Sequence, residues 1–245
     1  MKSAHRPFIF IQKTLFFPKQ GILVIGDLHI GYDSMLKNQG INIGIDQIEE
    51  TKKELEAIFQ RVRTLYTLKK IVLIGDIKHH FAFEKSELFD LRNFLRFLEK
   101  FLSKESIILI KGNHDTFTLK DYELKDSWIS DDKTLAFTHG DKTYPELFKD
   151  KQVKSIIIGH IHPAVLIKDK FNIKREKFKC FLVGKYKSKQ VIILPSFFPL
   201  IQGTEINELE KFKTNPFQLI PKTQLKDFET FVVGKNRVYG FGKFG

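Results

Sequence analysis

Short runs of apolar residues punctuate the first two thirds of the chain, and each of them stops abruptly at polar side chains. The runs cover residues 21–26, 71–74, 107–111, 134–137 and 155–158. Their lengths and their content of Ile, Val and Leu are typical of strands buried on both faces. An Asp, Asn or His follows each run within two residues. Since open α/β sheets bind ligands outside the carboxyl ends of their strands, the pattern predicts five strands that supply one site.

Helical periodicity separates the first three of these runs. Apolar positions recur on one face of a helix that begins at about Asp46 and reaches Leu65, and Leu88 to Leu102 form a second such stripe. Strands that alternate with helices predict a βαβ sheet, and we assign all five runs to it. Residues 8–17 predict one further strand, joined to the run at 21–26 by the turn at 18–21.

The pattern changes after Pro163, where alternating segments replace the apolar runs. Residues 164–169, 177–184 and 189–198 predict antiparallel strands, and the tail at 228–244 predicts a hairpin that turns at 234–236. A second sheet packed on the first is the natural arrangement. Without an internal repeat or a linker, we expect one domain over residues 1–245, with its motifs in 21–163 and its second sheet in 164–245.

The composition limits the classes to which this protein can belong. A chain of 245 residues with 42% hydrophobic residues can bury a large core, and its net charge of +12 favours either an anionic partner or a lysine-rich solvated surface. The single cysteine, Cys180, excludes an internal disulfide framework. No apolar run approaches the ~20 residues of a membrane span, and the N-terminus lacks a signal-peptide core. We therefore expect a cytoplasmic protein with no membrane partner.

The polar residues after the strands are of types that bind metals. Imidazole and carboxylate without thiolate suit Mn, Fe, Ni or Zn. In Asp27-x-His29 and His160-x-His162, an extended backbone projects both side chains to one side. Any one motif alone is ordinary turn chemistry, but the ordered set predicts two metals bridged by Asp76 that clamp an in-line displacement. The set comprises Asp27, His29, Asp76, Asn113, His114, Asp115, His139, His160 and His162.

The order of these motifs resembles the calcineurin-like metallophosphoesterase superfamily. The motifs are GDLHIG, IGDIKHH, KGNHD, THG and GHIHP, between residues 26 and 163. The resemblance implies an α/β fold, a four-layer αββα sandwich of two mixed sheets, with a dinuclear metal centre. One metal would be bound by Asp27, His29, Asp76 and His162. The other would be bound by Asp76, Asn113, His139 and His160.

The resemblance also implies a catalytic imidazole. His114 would protonate or stabilise the leaving group, and Asp115 would orient His114 through a hydrogen bond. Finer features, GDLHIGYD, GDIKHHF, GHIHPAV and LPSFFPLIQGTEIN, are similar to the ICC-like branch, which includes archaeal relatives of the SbcD nuclease and PdeM-type proteins. The chain departs from the wider superfamily at Lys78 and His79. Lys78 is either a phosphate contact or a solvated surface lysine, and His79 either touches substrate or is structural.

These features predict a metal-dependent phosphodiesterase in which a metal-bound water attacks phosphorus in line. We expect two divalent ions, manganese first, with nickel, iron or zinc as alternatives. The substrate would be a phosphodiester, nucleotide or nucleic acid. The alternatives are a phosphomonoesterase, an SbcD-type nuclease and a non-catalytic scaffold of the same fold. Residues 235–245 are basic and aromatic, so they either bind nucleic acid or close the second sheet as a terminal strand.

Overall fold

The computed structural model describes residues 6–41, 44, 46–79, 85–171, 173–211 and 219–244, and within them it contains two sheets. The first is mixed and six-stranded. Its order follows the chain, with β3 to β6 parallel and β1 to β3 antiparallel. Its strands are β1 (Ile9–Ile11), β2 (Thr14–Phe17), β3 (Ile22–Gly26), β4 (Lys70–Ile74), β5 (Ile107–Ile110) and β6 (Leu124–Lys125).

The second sheet is also mixed and has nine strands. They are β7 (Ser127–Ile129), β8 (Leu135–Thr138), β9 (Ser155–Ile158), β10 (Pro163–Lys168), β11 (Arg175–Tyr186), β12 (Lys189–Ile193), β13 (Thr204–Glu205), β14 (Glu229–Val233) and β15 (Val238–Gly242). Their order is β13-β10-β11-β12-β9-β8-β7, with the predicted hairpin β14–β15 attached to β11. Only β8–β9, β9–β12 and β10–β13 pair in parallel.

Helices cover the outer faces of both sheets. They are α1 (Tyr32–Asn38), α2 (Gln47–Leu65), α3 (Lys85–Glu99), α4 (Pro145–Lys149), α5 (Lys222–Leu225) and the 3₁₀ turns Lys104–Ser106 and Ile206–Lys211. Helix α2 begins where the sequence predicts, and the Asp46 carboxylate caps it by accepting from the Glu49 N–H at 3.0 Å. Buried residues of α2 and α3 pack on the first sheet, while α4 and α5 pack on the second. The four-layer αββα arrangement is confirmed.

A third apolar cluster lies between the sheets and joins them. The abundant phenylalanines concentrate here: the ring of Phe17 in the first sheet meets Phe137 in the second edge-on at 6.4 Å, and Phe10 stacks on Phe181 at 4.4 Å. Burying each such side chain contributes about 1.5–3 kcal/mol to stability. This layer therefore fixes how the strand ends of the two sheets face each other. None of the helices in the described part of the chain is long and apolar enough to cross a membrane.

Two predictions about the strands were wrong. Residues 8–17 form the hairpin β1–β2 rather than one strand, because Gln12 adopts a left-handed φ of 50°. The five runs also do not share one sheet. β3, β4 and β5 lie in the first sheet, whereas β8 and β9 lie in the second. The chain changes sheets at Asp126, between β6 and β7, and β8 then pairs with β9 instead of with β5.

Candidate metal centre

The first sheet presents polar side chains just beyond β3, β4 and β5. Asp27, His29 and Asp76 are at most 3% exposed. The segments after β3 and β4 stay side by side, since the His29 N–H donates to the Asp76 carbonyl at 2.9 Å and the Ile30 N–H to the Ile77 carbonyl at 2.9 Å. These backbone hydrogen bonds hold the two segments side by side independently of any side-chain contact.

The second sheet supplies the remaining side chains from strand ends that face those of the first sheet. His139 follows β8, and His160 and His162 follow β9. His162 Nε2 lies 3.1 Å from Asp27 Oδ1 and 3.5 Å from His29 Nε2. The ligand atoms of one group, Asp27, His29, Asp76 and His162, all lie within 4.8 Å of one another.

A second group forms around His139. Its Nε2 lies 3.3 Å from Asp76 Oδ2, 3.2 Å from His160 Nδ1 and 3.1 Å from Asn113 Oδ1. The two groups share the Asp76 carboxylate. The structure thus brings together all seven residues predicted as ligands, in the two sets that the resemblance implies.

Backbone conformation marks the same residues. Five of the nine non-glycine residues with positive φ in the described part of the chain belong to these groups. Such conformations are uncommon for side chains with a Cβ and persist where the surrounding structure holds them, often at functional sites. The five, with φ between 37° and 65°, are Asp27, His29, Asp76, His160 and His162.

Two glycines permit the close approach of these groups. A Cβ on Gly75 would lie 2.0 Å from His139 Nδ1, and one on Gly112 would lie 2.1 Å from the Asp76 N atom and 2.3 Å from Asp76 Oδ1. Neither contact can be relieved by rotating a flexible side-chain end, because both involve buried groups of the site. The Gly-Asp and Gly-Asn motifs therefore need Gly75 and Gly112, because a Cβ at either position would clash with a group of the site.

The two groups fit divalent cations. The imidazole nitrogens of His29 and His162 face each other at 3.5 Å, and those of His139 and His160 at 3.2 Å. Ligand atoms around an ion bound at about 2.1 Å lie roughly 3.0–3.4 Å apart, which is close to the spacing seen here. Among the described residues, the buried Asp27 Oδ2 and His29 Nδ1 atoms have no hydrogen-bond partner. Nitrogen and oxygen donors without thiolate suit Mn, Fe, Ni or Zn.

The electrostatics of the metal-free site also favour a cation. Burial opposes ionisation of Asp27 and Asp76, but the neighbouring imidazoles of His162 and His139 hold the pKa of each carboxyl below its usual range. Burial lowers the pKa of His139, and the surrounding carboxylates outweigh it and raise that pKa to about 9. A proton is therefore retained among these carboxylates, and metal binding would displace it.

His114 lies beside this centre, but Asp115 does not orient it. His114 Nδ1 lies 2.6 Å from the backbone carbonyl of His79, and its Nε2 lies 3.9 Å from Asp76 Oδ2. The carboxylate of Asp115 accepts instead from the N–H groups of Ile77, Lys78 and Gly112 at 2.9–3.2 Å. The predicted role of Asp115 is corrected: this residue is 0% exposed and joins the segments after β4 and β5.

Comparison with known proteins agrees with this geometry. The family model of the calcineurin-like phosphoesterases matches residues 21–137. This part of the chain is similar to that family. The similarity supports a hydrolase of phosphoric esters, and the family implies divalent metal ions. The match covers the motifs of the first sheet and ends just before His139, so the groups from β8 and β9 are placed by the structure. Among curated proteins, none matches the chain.

Three solved structures are similar to this phosphoesterase. Nuclease MPE of Pseudomonas putida is 18% identical with a TM-score of 0.57, over 94% of this chain and 92% of that one. A Vps29 mutant of Entamoeba histolytica is 14% identical (TM-score 0.37; 90% and 91% covered). A predicted phosphoesterase of Streptococcus pneumoniae TIGR4 is 11% identical (TM-score 0.35; 96% and 100% covered). The first shows the same fold, and the other two add nothing to it.

Lys78 and His79, at which the motifs depart from the wider superfamily, lie in different surroundings. The Lys78 side chain is buried, with Nζ 3.6 Å from Glu87 Oε2 in α3, so a solvated surface lysine is excluded. This buried pair fits a structural role better than a phosphate contact. His79 is half-buried, and its ring lies 5.5 Å from His29 and 5.8 Å from His114. Its side chain borders the site, and substrate contact stays a prediction.

A pair of lysines supports the site from behind, and sequence reasoning missed it. The loop at 196–198 holds the end of β3, since the Ser196 hydroxyl donates to the Asp27 carbonyl at 3.0 Å. Lys179 Nζ donates to the carbonyls of Ser196, at 2.7 Å, and Phe198. Lys13 Nζ donates to the Phe197 carbonyl at 2.8 Å. Burial, and then the nearby Lys13 charge, lower the pKa of Lys179 to about 7. The motif LPSFFPL carried the only sequence signal for this loop.

Proposed function

We propose that this protein is a dinuclear metal-dependent phosphodiesterase. The observation that carries the proposal is the pair of Asp/His clusters that share the Asp76 carboxylate, with the His114 imidazole next to it. Two metals about 3.5–4 Å apart are typical of enzymes that displace groups at phosphorus in line, and one shared carboxylate suits such a pair. The family assignment of residues 21–137 supports the same class of reaction.

The proposed division of roles follows the two clusters. Asp27, His29, Asp76 and His162 would hold one ion, and Asp76, Asn113, His139 and His160 the other. Bound there, divalent ions supply charge neutralisation on the phosphate and acidification of a water molecule. Manganese is the first choice for a hard nitrogen and oxygen donor set, with nickel, iron or zinc as alternatives.

His114 would act on the leaving group. The backbone carbonyl of His79 can only accept a hydrogen bond, so His114 Nδ1 carries its proton there and donates to it. Nε2 then faces the centre. An imidazolium would hold a second proton at Nε2 and give it to the departing alkoxide, which contributes about 10²–10⁴ in rate. The side chain of His114 is 19% exposed, so a substrate can reach it.

Two observations support the diester preference and a nucleic-acid partner. The similar structure from Pseudomonas putida is named a nuclease, and the net charge of +12 suits an anionic polymer. A nuclease is therefore our second candidate. A non-catalytic scaffold fits less well, because every predicted ligand position and His114 are filled. The single, buried Cys180 fits a reducing compartment, and we propose a cytoplasmic location.

A turnover panel on one preparation tests the proposal. It compares a bis-aryl phosphodiester, an aryl monoester, cyclic nucleotides and short DNA and RNA, each with Mn²⁺, Ni²⁺, Fe²⁺ or Zn²⁺ and after treatment with a chelator. We expect metal-dependent turnover that is faster for the diester than for the monoester. Faster turnover of the monoester would reassign the enzyme as a phosphomonoesterase, and no turnover of any ester with any of the four metals would favour the scaffold.

A further inference from the structure

Strands β10 and β11 form a two-stranded arm that projects past the strand ends next to the metal centre. The C-terminal end of β12 lies beside that of β9, since the two strands are parallel and Ile193 pairs with Ile158 just before His160. Leu182 of the antiparallel β11 pairs with Ile193. The residues of β11 that precede Leu182 therefore extend beyond these strand ends, and Arg175–Lys179 pair there with β10.

The arm is continuous with the metal centre. Its first strand, β10, begins at Pro163, directly after His162. Six strand residues span about 20 Å, so the tip lies roughly that far from the candidate ligand. The Asp169 carboxylate holds the turn at the tip by accepting from the N–H groups of Ile173, at 2.7 Å, and Lys174, at 3.2 Å.

The tip combines exposed apolar and basic side chains. Phe171 and Ile173 are each 80% exposed, more than any other large hydrophobic residue in the described ranges. Lys170 and Lys174 flank them and are exposed. The structure shows no ion pair for either of these two amines within the residues it describes.

The base of the arm differs from its tip in this respect. Lys168 and Lys177 pair there with Glu208 and Glu205, which lie in the segment that flanks β10. Carboxylates thus neutralise the base of the arm and leave the lysines of the tip available to an anion. An accessible aromatic ring between such lysines is the combination with which proteins bind single-stranded nucleic acid, by stacking a base and contacting the backbone.

We propose that the β10–β11 arm binds single-stranded nucleic acid whose phosphodiester lies at the metal centre. Phe171 stacks on a base, and Lys170 and Lys174 contact phosphates. This proposal rests on the proposed function, since it names the substrate class of the same site. It also places the polymer along one side of the centre, from His162 outward to the tip.

Binding of a fluorescently labelled, non-hydrolysable phosphorothioate single-stranded DNA to the metal-loaded protein tests the arm. Phe171→Ala is expected to weaken binding about tenfold, because base–aromatic stacking is lost. The double variant Lys170→Gln/Lys174→Gln is expected to reduce the slope of log K against log salt by about 1.4, at about 0.7 for each phosphate contact. The matched control is Phe241→Ala, which removes a 48% exposed aromatic from the other basic hairpin, β14–β15.

Turnover of a small bis-aryl diester separates this proposal from the one on which it rests. The arm variants should keep that turnover, because a small ester does not reach the tip. Normal turnover in a wild-type protein that binds no DNA, or that binds it as tightly with Phe171→Ala, would overturn the arm alone. Loss of DNA binding in the control but not in the arm variants would move the site to β14–β15. Arm-dependent binding to acidic phospholipid vesicles instead of DNA would identify a membrane surface.

Discussion

Replacing Asp115 tests whether this carboxylate stabilises the fold rather than orients His114. Asp115 is 0% exposed, and its oxygens accept from three backbone N–H groups. Asp115→Ala leaves all three donors buried. Each stranded donor costs about 1–3 kcal/mol. Burial of the carboxylate raises the pKa of Asp115 to about 6, and removing this buried charge offsets part of the cost, so we expect a net loss of about 3 kcal/mol in the free energy of unfolding. For a chain of this size that corresponds to roughly 6–12 °C in Tm.

Urea unfolding of the metal-free proteins measures this loss without a contribution from bound ions. Asp132→Ala is the matched control, since its carboxylate accepts from Ser130 and Thr134 but is exposed. Water replaces these contacts, and we expect a loss of about 1 kcal/mol. Asp115→Asn keeps one acceptor oxygen and should lie between the two. An Asp115→Ala protein as stable as wild type, with slow turnover, would refute this reasoning and restore the orienting role.

Further variants test three other parts of the site. His114→Ala should keep its metal content and lose about 10²–10⁴ of turnover, and a fully active variant would contradict the role of the imidazole. Gly112→Ala should abolish tight metal binding in a titration, because its Cβ meets the bridging carboxylate, whereas Gly240→Ala, whose Cβ would lie 3.8 Å from its neighbour, should not. Because the pKa of Lys179 is lowered to about 7 in the folded chain, its charged form costs stability below that pH. In metal-free urea unfolding, wild type should therefore gain stability relative to Lys179→Met as pH rises from about 7 to about 10, by at most about 1.4 kcal/mol per unit. A stability difference between wild type and Lys179→Met that stays constant from about pH 7 to about pH 10 would contradict this assignment.

The strands and their polar ends could be predicted because both signals are local. A strand buried on both faces needs an unbroken apolar run, and the run at 71–74 corresponds to β4 (Lys70–Ile74), while that at 155–158 corresponds to β9 (Ser155–Ile158). The ordered residues that follow carry the family resemblance, and the resemblance implies the two clusters. Periodicity reports burial rather than the identity of the neighbouring strand, however, so it did not assign β8 and β9 to the second sheet. The change of sheet at Asp126 lies between two short, half-buried strands that leave no apolar run.

The partners of individual side chains were less accessible to sequence reasoning. The string Asn113-His114-Asp115 is compatible with an Asp that orients its neighbour and with one that binds distant backbone N–H groups. Only the backbone path decides, because it places the N–H groups of Ile77 and Lys78 around the carboxylate. Lys179 lies next to apolar residues in β11, and nothing in this local sequence indicates what its side chain contacts. Carbonyls 17 and 19 residues further along the chain hold its amine.

Titration of the metal-depleted protein with Mn²⁺, with bound metal and diester turnover followed in the same samples, tests the central claim most directly. The shared Asp76 carboxylate predicts that turnover rises to a plateau at two ions per chain, and that Asp76→Ala binds neither ion tightly and has no turnover. A plateau at one ion per chain, or turnover that persists without metal, would contradict a dinuclear phosphodiesterase.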